Sequence, residues 1–229
     1  MFTPLYDGVA MKFQRWPWVN WGLIGLNLAV FLSGLAGWLG DADRLDTALG
    51  VIPAVLLGTA DLQRDLVWIP PPATLLTGMF LHGGWAHMLG NMLFLWVFGD
   101  NVEDAMGSLR YLAFYLACGL AGALFYSFML PASEGPLIGA SAAISGVVVA
   151  YVLLYPRAHI FGLLFSWLPM SIPAWACLGC WVLLQIGSAL FGADPEIGWW
   201  AHVGGILAGA ALLPVLKRRA VPYWGDRVG

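Results

Sequence analysis

The chain has 229 residues, of which 60% are hydrophobic and only 10% are Asp, Glu, Lys or Arg. A soluble domain usually carries about 25% charged residues, so the composition excludes a soluble globular enzyme and a disordered chain. The sequence pI of about 5.7 indicates no excess of basic residues, which argues against a nucleic-acid-binding protein. The mean hydropathy of +0.79 instead predicts a multi-pass integral membrane protein in contact with the lipid bilayer.

Six apolar segments are candidates for crossing the membrane, because a spanning helix needs about 20 such residues and some shorter segments come close. In chain order they are residues 18–39, 85–98, 111–130, 139–154, 172–191 and 199–216. The sequence therefore predicts an all-α bundle of six transmembrane helices. We expect a single membrane domain over residues 1–229, with a short N-terminal segment (1–17), a core (18–216) and a C-terminal tail (217–229).

The basic residues predict the orientation of this bundle. With the N-terminal segment in the cytoplasm, eight of the 10 Lys and Arg residues fall on the cytoplasmic side, as the positive-inside rule requires. These eight are Lys12, Arg15, Arg110, Arg157, Lys217, Arg218, Arg219 and Arg227. Only Arg44 and Arg64 then lie outside, and five or seven spans would put the C-terminal basic cluster on the wrong side. We expect both the N-terminal segment and the tail to be cytoplasmic.

The connection between the first two spans, residues 40–81, is then external. Its apolar patches at residues 49–57 and 66–69 are typical of short amphipathic helices that lie in the membrane interface. The proline run at residues 70–72 is expected to break any helix there. The three cysteines, Cys118, Cys177 and Cys180, lie inside apolar runs and are interpreted as packing residues rather than a disulfide framework.

Polar side chains inside the predicted spans are candidates for function, because burying them in lipid is expensive. Six of them fall in the outer half of the bilayer at the starts of spans two, four and six. They are His82, His87, Asn91, Ser141, Ser145 and His202. Three helices therefore bring polar side chains to one level on one side of the membrane.

Ser141 and His202 form the predicted catalytic pair. Small residues surround Ser141, and His202 shares a helix face with Gly205 and Gly209, so the two helices can approach closely. An imidazole beside a serine hydroxyl can accept its proton as the oxygen attacks. No carboxylate is expected at that depth, since Glu134, Asp194 and Glu196 are placed in loops. The sequence therefore predicts a dyad and not a triad.

His87 and Asn91 are four residues apart and share a face of the second span. They could donate hydrogen bonds to an oxyanion together with the Ser141 backbone N–H. The fourth span has only about 16 residues, about 24 Å of helix against about 30 Å of hydrocarbon, so water could reach the site.

Three sequence blocks resemble the signatures of the rhomboid intramembrane serine proteases. They are HGGWAHMLGN at residues 82–91, GAS at 139–141 and AHVGG at 201–205. The resemblance covers nearly the whole chain and implies the six-helix form common in bacteria, hence a bacterial cytoplasmic (inner) membrane. It implies Ser141 as nucleophile, His202 as general base, and His87 and Asn91 as oxyanion donors, with His82 as possible structural support. Neither cofactor nor metal is implied, and the implied substrates are transmembrane proteins that enter past helix five.

The chain departs from that family pattern at four places. Ala142 follows the nucleophile where Gly is usual, and Ser145 stands where many members have an aromatic ring that stacks on the catalytic His. Ala73-Thr74 replaces a Trp-Arg pair in the first loop. The Glu-x-Arg motif after helix two keeps Glu103 but has Ala105 in the Arg position, where Arg110 could substitute. None of the four removes the dyad.

Two other functions remain open at this point. A rhomboid-like pseudoprotease would bind transmembrane helices without cutting them, and would usually lack the Ser or the His. Alternatively, His82, His87 and His202 could bind a metal in a transporter or a zinc-dependent membrane hydrolase. That arrangement would require acidic ligands at the same depth.

Overall fold

A computed structural model describes residues 2–165, 167–191 and 198–224 of the chain. Its helices, in chain order, are α1 (Trp18–Leu35), α2 (Ala42–Leu49), α3 (Pro53–Leu56), α4 (Thr74–Thr77), α5 (Trp85–Phe94), α6 (Asp100–Met106), α7 (Ser108–Met129), α8 (Ser141–Leu154), α9 (Ala174–Phe191) and α10 (Trp199–Leu216). Its strands are β1 (Phe2–Tyr6), β2 (His159–Leu164) and β3 (Leu168–Pro173). Asp194, Glu196 and Arg227 lie outside the described residues.

Four helices, α1, α7, α9 and α10, are long and apolar enough to cross a membrane. They correspond to the first, third, fifth and sixth predicted spans. The first is shorter than predicted, because the chain turns at Gly37 with a φ of 72°, a left-handed conformation typical of the residue after a helix. At 14 residues, α8 is about 21 Å long.

The second predicted span, residues 85–98, is formed by α5 and a five-residue π-helical turn at Leu95–Gly99, after which the helix continues as α6 beyond the predicted span. A π turn leaves a backbone carbonyl without its usual partner. Here the Nδ2 of the buried Asn20 on α1 donates to the Leu95 carbonyl at 2.9 Å. The Tyr111 hydroxyl of α7 donates to the Oδ1 of the same Asn20 side chain at 2.9 Å. The irregular turn is therefore stabilised by a polar side chain from a neighbouring helix.

The fold is mostly helical, as predicted, but it is not all-α, because the three strands form an antiparallel sheet in the order β1-β2-β3. Phe2 pairs with Leu164, and Phe161 pairs with Ser171. Pro156 and Pro173 disfavour a helix over the intervening segment, so its backbone groups pair between strands. The fifth span accordingly begins at Ala174 rather than at residue 172. The protein is mostly helical with one small sheet.

The connection between α1 and α5 contains α2, α3, α4 and short 3₁₀ turns. Of these, α3 lies within the first predicted patch, residues 49–57. The second patch, residues 66–69, holds only the end of the 3₁₀ turn at Arg64–Leu66. The proline run does not stop helical structure as expected. Pro71 begins a 3₁₀ turn that leads into α4, since proline fits the first helical position. Val51 exchanges two backbone hydrogen bonds of 3.0 and 2.8 Å with Leu137, which ties this connection to the segment before α8.

Acidic residues of α6 hold the N-terminal segment. The Asp104 carboxylate accepts from the backbone N–H groups of Lys12, Phe13 and Gln14 at 2.8, 2.8 and 2.6 Å. The Glu103 carboxylate accepts from the backbone N–H of Asn20 at 2.7 Å.

Arg110 does not take the position of the missing arginine near α6. It is exposed on α7, whereas Arg218 donates from its backbone N–H to the Ala105 carbonyl at 2.8 Å. The Arg218 Nε also donates to the Asp104 carbonyl at 3.1 Å. An arginine distant in sequence therefore lies beside α6, and the expectation for Arg110 is wrong.

Asp7, directly after β1, is buried beside the start of α6. Its carboxylate accepts from the Tyr151 hydroxyl and from the Asn101 amide, both at 2.7 Å. The same amide lies 3.2 Å from the Asp100 carboxylate. Burial and the neighbouring Asp7 charge raise the pKa of Asp100 from 3.8 to about 7, and burial raises the pKa of Asp7 as well.

A carboxyl whose pKa is raised in the fold stabilises it fully below its unfolded pKa of about 4 and loses that contribution as the pH rises through about 7. We therefore expect amide exchange in β1, corrected for its intrinsic pH dependence, to accelerate between pH 5 and pH 8. Asp100→Asn should flatten this dependence, and Asp61→Asn, at an exposed position, should leave it unchanged. Equal pH dependence in the parent and in Asp100→Asn would contradict the assignment.

Candidate active site

Glycines let α8 and α10 approach until their backbones touch. A Cβ atom on Gly205 would overlap the Ala142 carbonyl, and one on Gly209 would lie 2.6 Å from the Cα of Gly146. The extra methyl of Ala142 faces Gly122 of α7, where an added Cβ would lie 2.7 Å from it. The departure at Ala142 is therefore accommodated by a small residue on the facing helix.

This contact brings Ser141 and His202 together. Ser141 is the first residue of α8, and His202 is the fourth residue of α10. The Ser141 Oγ and the His202 Nε2 are 2.8 Å apart, which is hydrogen-bonding distance. His202 is only 9% exposed.

The other ring nitrogen of His202 contacts a residue that the sequence analysis missed. The His202 Nδ1 lies 2.6 Å from the Oε1 of Gln185, which is buried on α9. A signal was present, because Gln185 is an amide in an apolar span. It also lies about 9 Å from the Phe191 end of α9, at the depth where the other polar residues were expected. Unlike the second, fourth and sixth spans, however, α9 carries no recognisable motif.

Ser145 does not contact the His202 ring. Its hydroxyl donates to the Ser141 carbonyl one turn back at 2.7 Å, as serines in membrane helices commonly do. Two tryptophans lie near the ring instead. The Trp199 ring is perpendicular to it at a centroid distance of 5.9 Å, and the Trp181 ring is 6.5 Å away.

His87 and Asn91 lie across the same space on α5. Asn91 Nδ2 is 3.0 Å from His82 Nε2, and the His82 and His87 rings meet edge to face at 5.0 Å. Gly139 has a φ of 115°, and a Cβ there would lie 2.7 Å from His87 Nε2. Only glycine fits this left-handed position without strain, so the segment before Ser141 passes directly against His87.

One cavity of about 620 Å³ joins these groups. Its lining includes His87, Asn91, Ser141, Gln185 and His202. The remaining described lining residues are Ala86, Gly90, Phe94, Tyr126, Pro136, Leu137, Ile138, Ile144, Trp181, Gly198 and Trp199. None of these described residues is an Asp or a Glu, and no His, Cys, Asp and Glu group in the described parts of the chain could hold a metal ion.

Comparisons with known proteins agree on one family. The Rhomboid domain model matches residues 71–219. The chain is 30% identical over 200 residues to Rhomboid protein 1, mitochondrial, of Saccharomyces cerevisiae, covering 82% of this chain and 50% of that protein. It is 34% identical over 150 residues to RHOMBOID-like protein 2 of Arabidopsis thaliana, covering 66% and 44%. It is 47% identical over 85 residues to Rhomboid protease GluP of Bacillus subtilis, covering 36% and 16%. The chain thus spans half or less of these relatives.

The contact between α8 and α10 predicts a stability effect. Gly209→Ala should destabilise the protein by about 1–3 kcal/mol, because the added methyl overpacks a contact between two backbones. The measurement is the free energy of unfolding in mixed micelles. Gly179→Ala on α9 is the matched control, since a Cβ there meets nothing within 4 Å. Equal stability of the two variants would contradict the proposed contact.

Proposed function

The chain belongs to the rhomboid family, and on that premise we propose that it is an intramembrane serine endopeptidase that hydrolyses peptide bonds in or near the transmembrane segments of membrane proteins. The observation that carries the proposal is the 2.8 Å contact between the Ser141 Oγ and the His202 Nε2 in a shared cavity. Both residues required for the chemistry are present, which favours a protease over a pseudoprotease.

In the proposed first step, the Ser141 Oγ attacks the scissile carbonyl carbon while its proton passes to the His202 Nε2. The C–O bond that forms converts the carbonyl oxygen into an oxyanion. His202 then donates the proton to the leaving amine as the peptide C–N bond breaks. Water attacks the resulting acyl-enzyme with His202 again as the base, which releases the acid product and restores Ser141.

We assign the oxyanion to donors from two helices. The Ser141 backbone N–H belongs to the first turn of α8, where N–H groups have no partner within the helix. Asn91 uses one Nδ2 hydrogen toward His82, which leaves the other for the cavity, and His87 lines the same space. In this reading, His82 is a supporting residue that orients the Asn91 amide.

The short length of α8 leaves a route for the water that the second half of the reaction consumes. The helix that carries Ser141 is about 21 Å long against a hydrocarbon core of about 30 Å, and Ser141 is at its first residue. The cavity of about 620 Å³ could hold several water molecules beside the dyad.

The protein is an integral membrane protein, and we propose the six-span topology with residues 1–17 and 217–224 in the cytoplasm. Contacts within the described residues support it, because they join segments that this topology places on the same side. Lys12 and Arg218 both contact Asp104 at the end of the second span, whereas Val51 pairs with Leu137 on the proposed external side. We further propose that residues 1–229 form one membrane domain and that the membrane is a bacterial inner membrane.

Ser141→Ala should abolish cleavage of a model transmembrane substrate in liposomes, along with labelling by a fluorophosphonate probe, because both require the nucleophilic oxygen. Ser127→Ala is a suitable control, since that buried serine on α7 bonds only back to the Ala123 carbonyl at 2.8 Å among described contacts. A parent protein that neither cleaves nor labels, or a Ser141→Ala variant that does both normally, would disprove the proposal.

His87→Ala and Asn91→Ala should each lower the turnover rate by about 10²-fold or more, because each removes a donor to the developing charge. The test measures kcat and KM separately for each variant and for the parent, with the same substrate. An increase in KM with kcat unchanged, or no change in either constant, would show that the assigned oxyanion donors are wrong.

A further inference from the structure

The contact between Gln185 and His202 assigns a further role in the active site. We propose that Gln185 is a positioning residue, whose side-chain oxygen holds His202 with Nδ1 protonated and Nε2 directed at Ser141. This inference rests on the proposed protease function. It adds a third helix, α9, to the two that carry the nucleophile and the base.

The argument begins with the chemistry of the two groups. An amide oxygen can only accept a hydrogen bond, so the 2.6 Å contact with Oε1 requires a proton on the His202 Nδ1. In a neutral imidazole the other nitrogen is then an acceptor. That nitrogen, Nε2, lies 2.8 Å from the Ser141 Oγ. Gln185 therefore selects the tautomer in which the His202 Nε2 is unprotonated and can accept the proton of Ser141.

Other described neighbours of the ring do not supply this acceptor. The hydroxyl of Ser145 is directed back to the Ser141 carbonyl. An indole N–H only donates, so the Trp181 and Trp199 rings can confine the imidazole but cannot accept its proton. Gln185 supplies the oxygen that the geometry requires.

The position of Gln185 depends on how α9 is held. Leu183 and Leu184, its neighbours on the helix, are 69% and 65% exposed, whereas Gln185 is 6% exposed, so the amide faces the bundle. At its start, α9 is tied to the segment after α8, because the Ala174 N–H donates to the Ala158 carbonyl at 2.7 Å. The Trp175 N–H also donates to the Pro156 carbonyl at 2.9 Å. These contacts fix the register of α9 against the helix that carries Ser141.

The test replaces Gln185 by Met, which has similar length and shape but no strong acceptor, and by Glu, which restores an acceptor oxygen. Gln185→Met should lower both kcat and the rate of fluorophosphonate labelling by about 10- to 100-fold, with KM within about threefold of the parent, because the base is misdirected while substrate binding remains. Gln185→Glu should label within about threefold of the parent. Leu184→Met is the matched control and should equal the parent.

Different outcomes overturn the inference in different ways. A Gln185→Met variant that labels like the parent would show that the contact has no role in positioning. Equal losses in the Met and Glu variants, with equally lowered unfolding temperatures, would show that Gln185 acts only through packing. Labelling of the parent is measured before any variant is compared. A parent that does not label would contradict the proposed protease function itself.

A second readout does not need activity. In protein labelled with ¹⁵N-histidine, we expect the His202 ring in the parent to give the signals of the tautomer protonated at Nδ1. The chain has 4 histidines, so the His202 signals can be assigned from their loss in His202→Gln. Gln185→Met should produce a mixture of tautomers, and an unchanged pure Nδ1–H tautomer would overturn the proposal.

Discussion

The close approach of α8 to α10 governs the geometry of the whole site, because the contact between Ser141 and His202 spans two helices. Lipid tails are as apolar as leucine, so there is no hydrophobic force to pull two membrane helices together, and tight van der Waals contact has to replace it. Gly205 and Gly209 make that contact by leaving no side chain between the backbones. The glycines that hold the bundle together therefore also set the distance between Ser141 and His202.

A second constraint is that polar backbone groups in an apolar environment must find partners within the protein. Two irregular segments meet this requirement with partners from other elements. The π turn relies on the Asn20 amide, and the backbone N–H of Gly139 donates to the Gly78 carbonyl at 2.8 Å. Because these groups are satisfied, the chain can leave helical geometry beside the cavity, where a regular helix would not bring Gly139 against His87.

Hydropathy and motif spacing predicted much of this fold and site, and the misses have physical causes. The bounds of α10 match its long apolar run, whereas α7 begins at Ser108, three residues before the predicted start. The sequence also identified His202 as a polar residue without a surface to explain it. The strand β1 was missed because it pairs with a strand more than 150 residues later, and no local pattern encodes such pairing. The other two strands, β2 and β3, form a local hairpin and lie mostly between the fourth and fifth predicted spans, where no structure was assigned. Gln185 was missed because its helix carries no motif, although its depth in the span was informative.

The choice of an amide next to His202 fits the scarcity of charge in this chain. In soluble serine proteases a buried carboxylate usually orients the histidine and stabilises the imidazolium that forms during the reaction. Removing a carboxylate from water costs several kcal/mol per ion, and the low dielectric of a membrane bundle keeps that cost high. A neutral amide such as Gln185 can fix the tautomer of His202 without this cost. In the proposed mechanism it would stabilise the imidazolium less, so more of the catalytic effect would have to come from the exact placement of the ring, which the neighbouring Trp199 and the close contact of α8 with α10 favour.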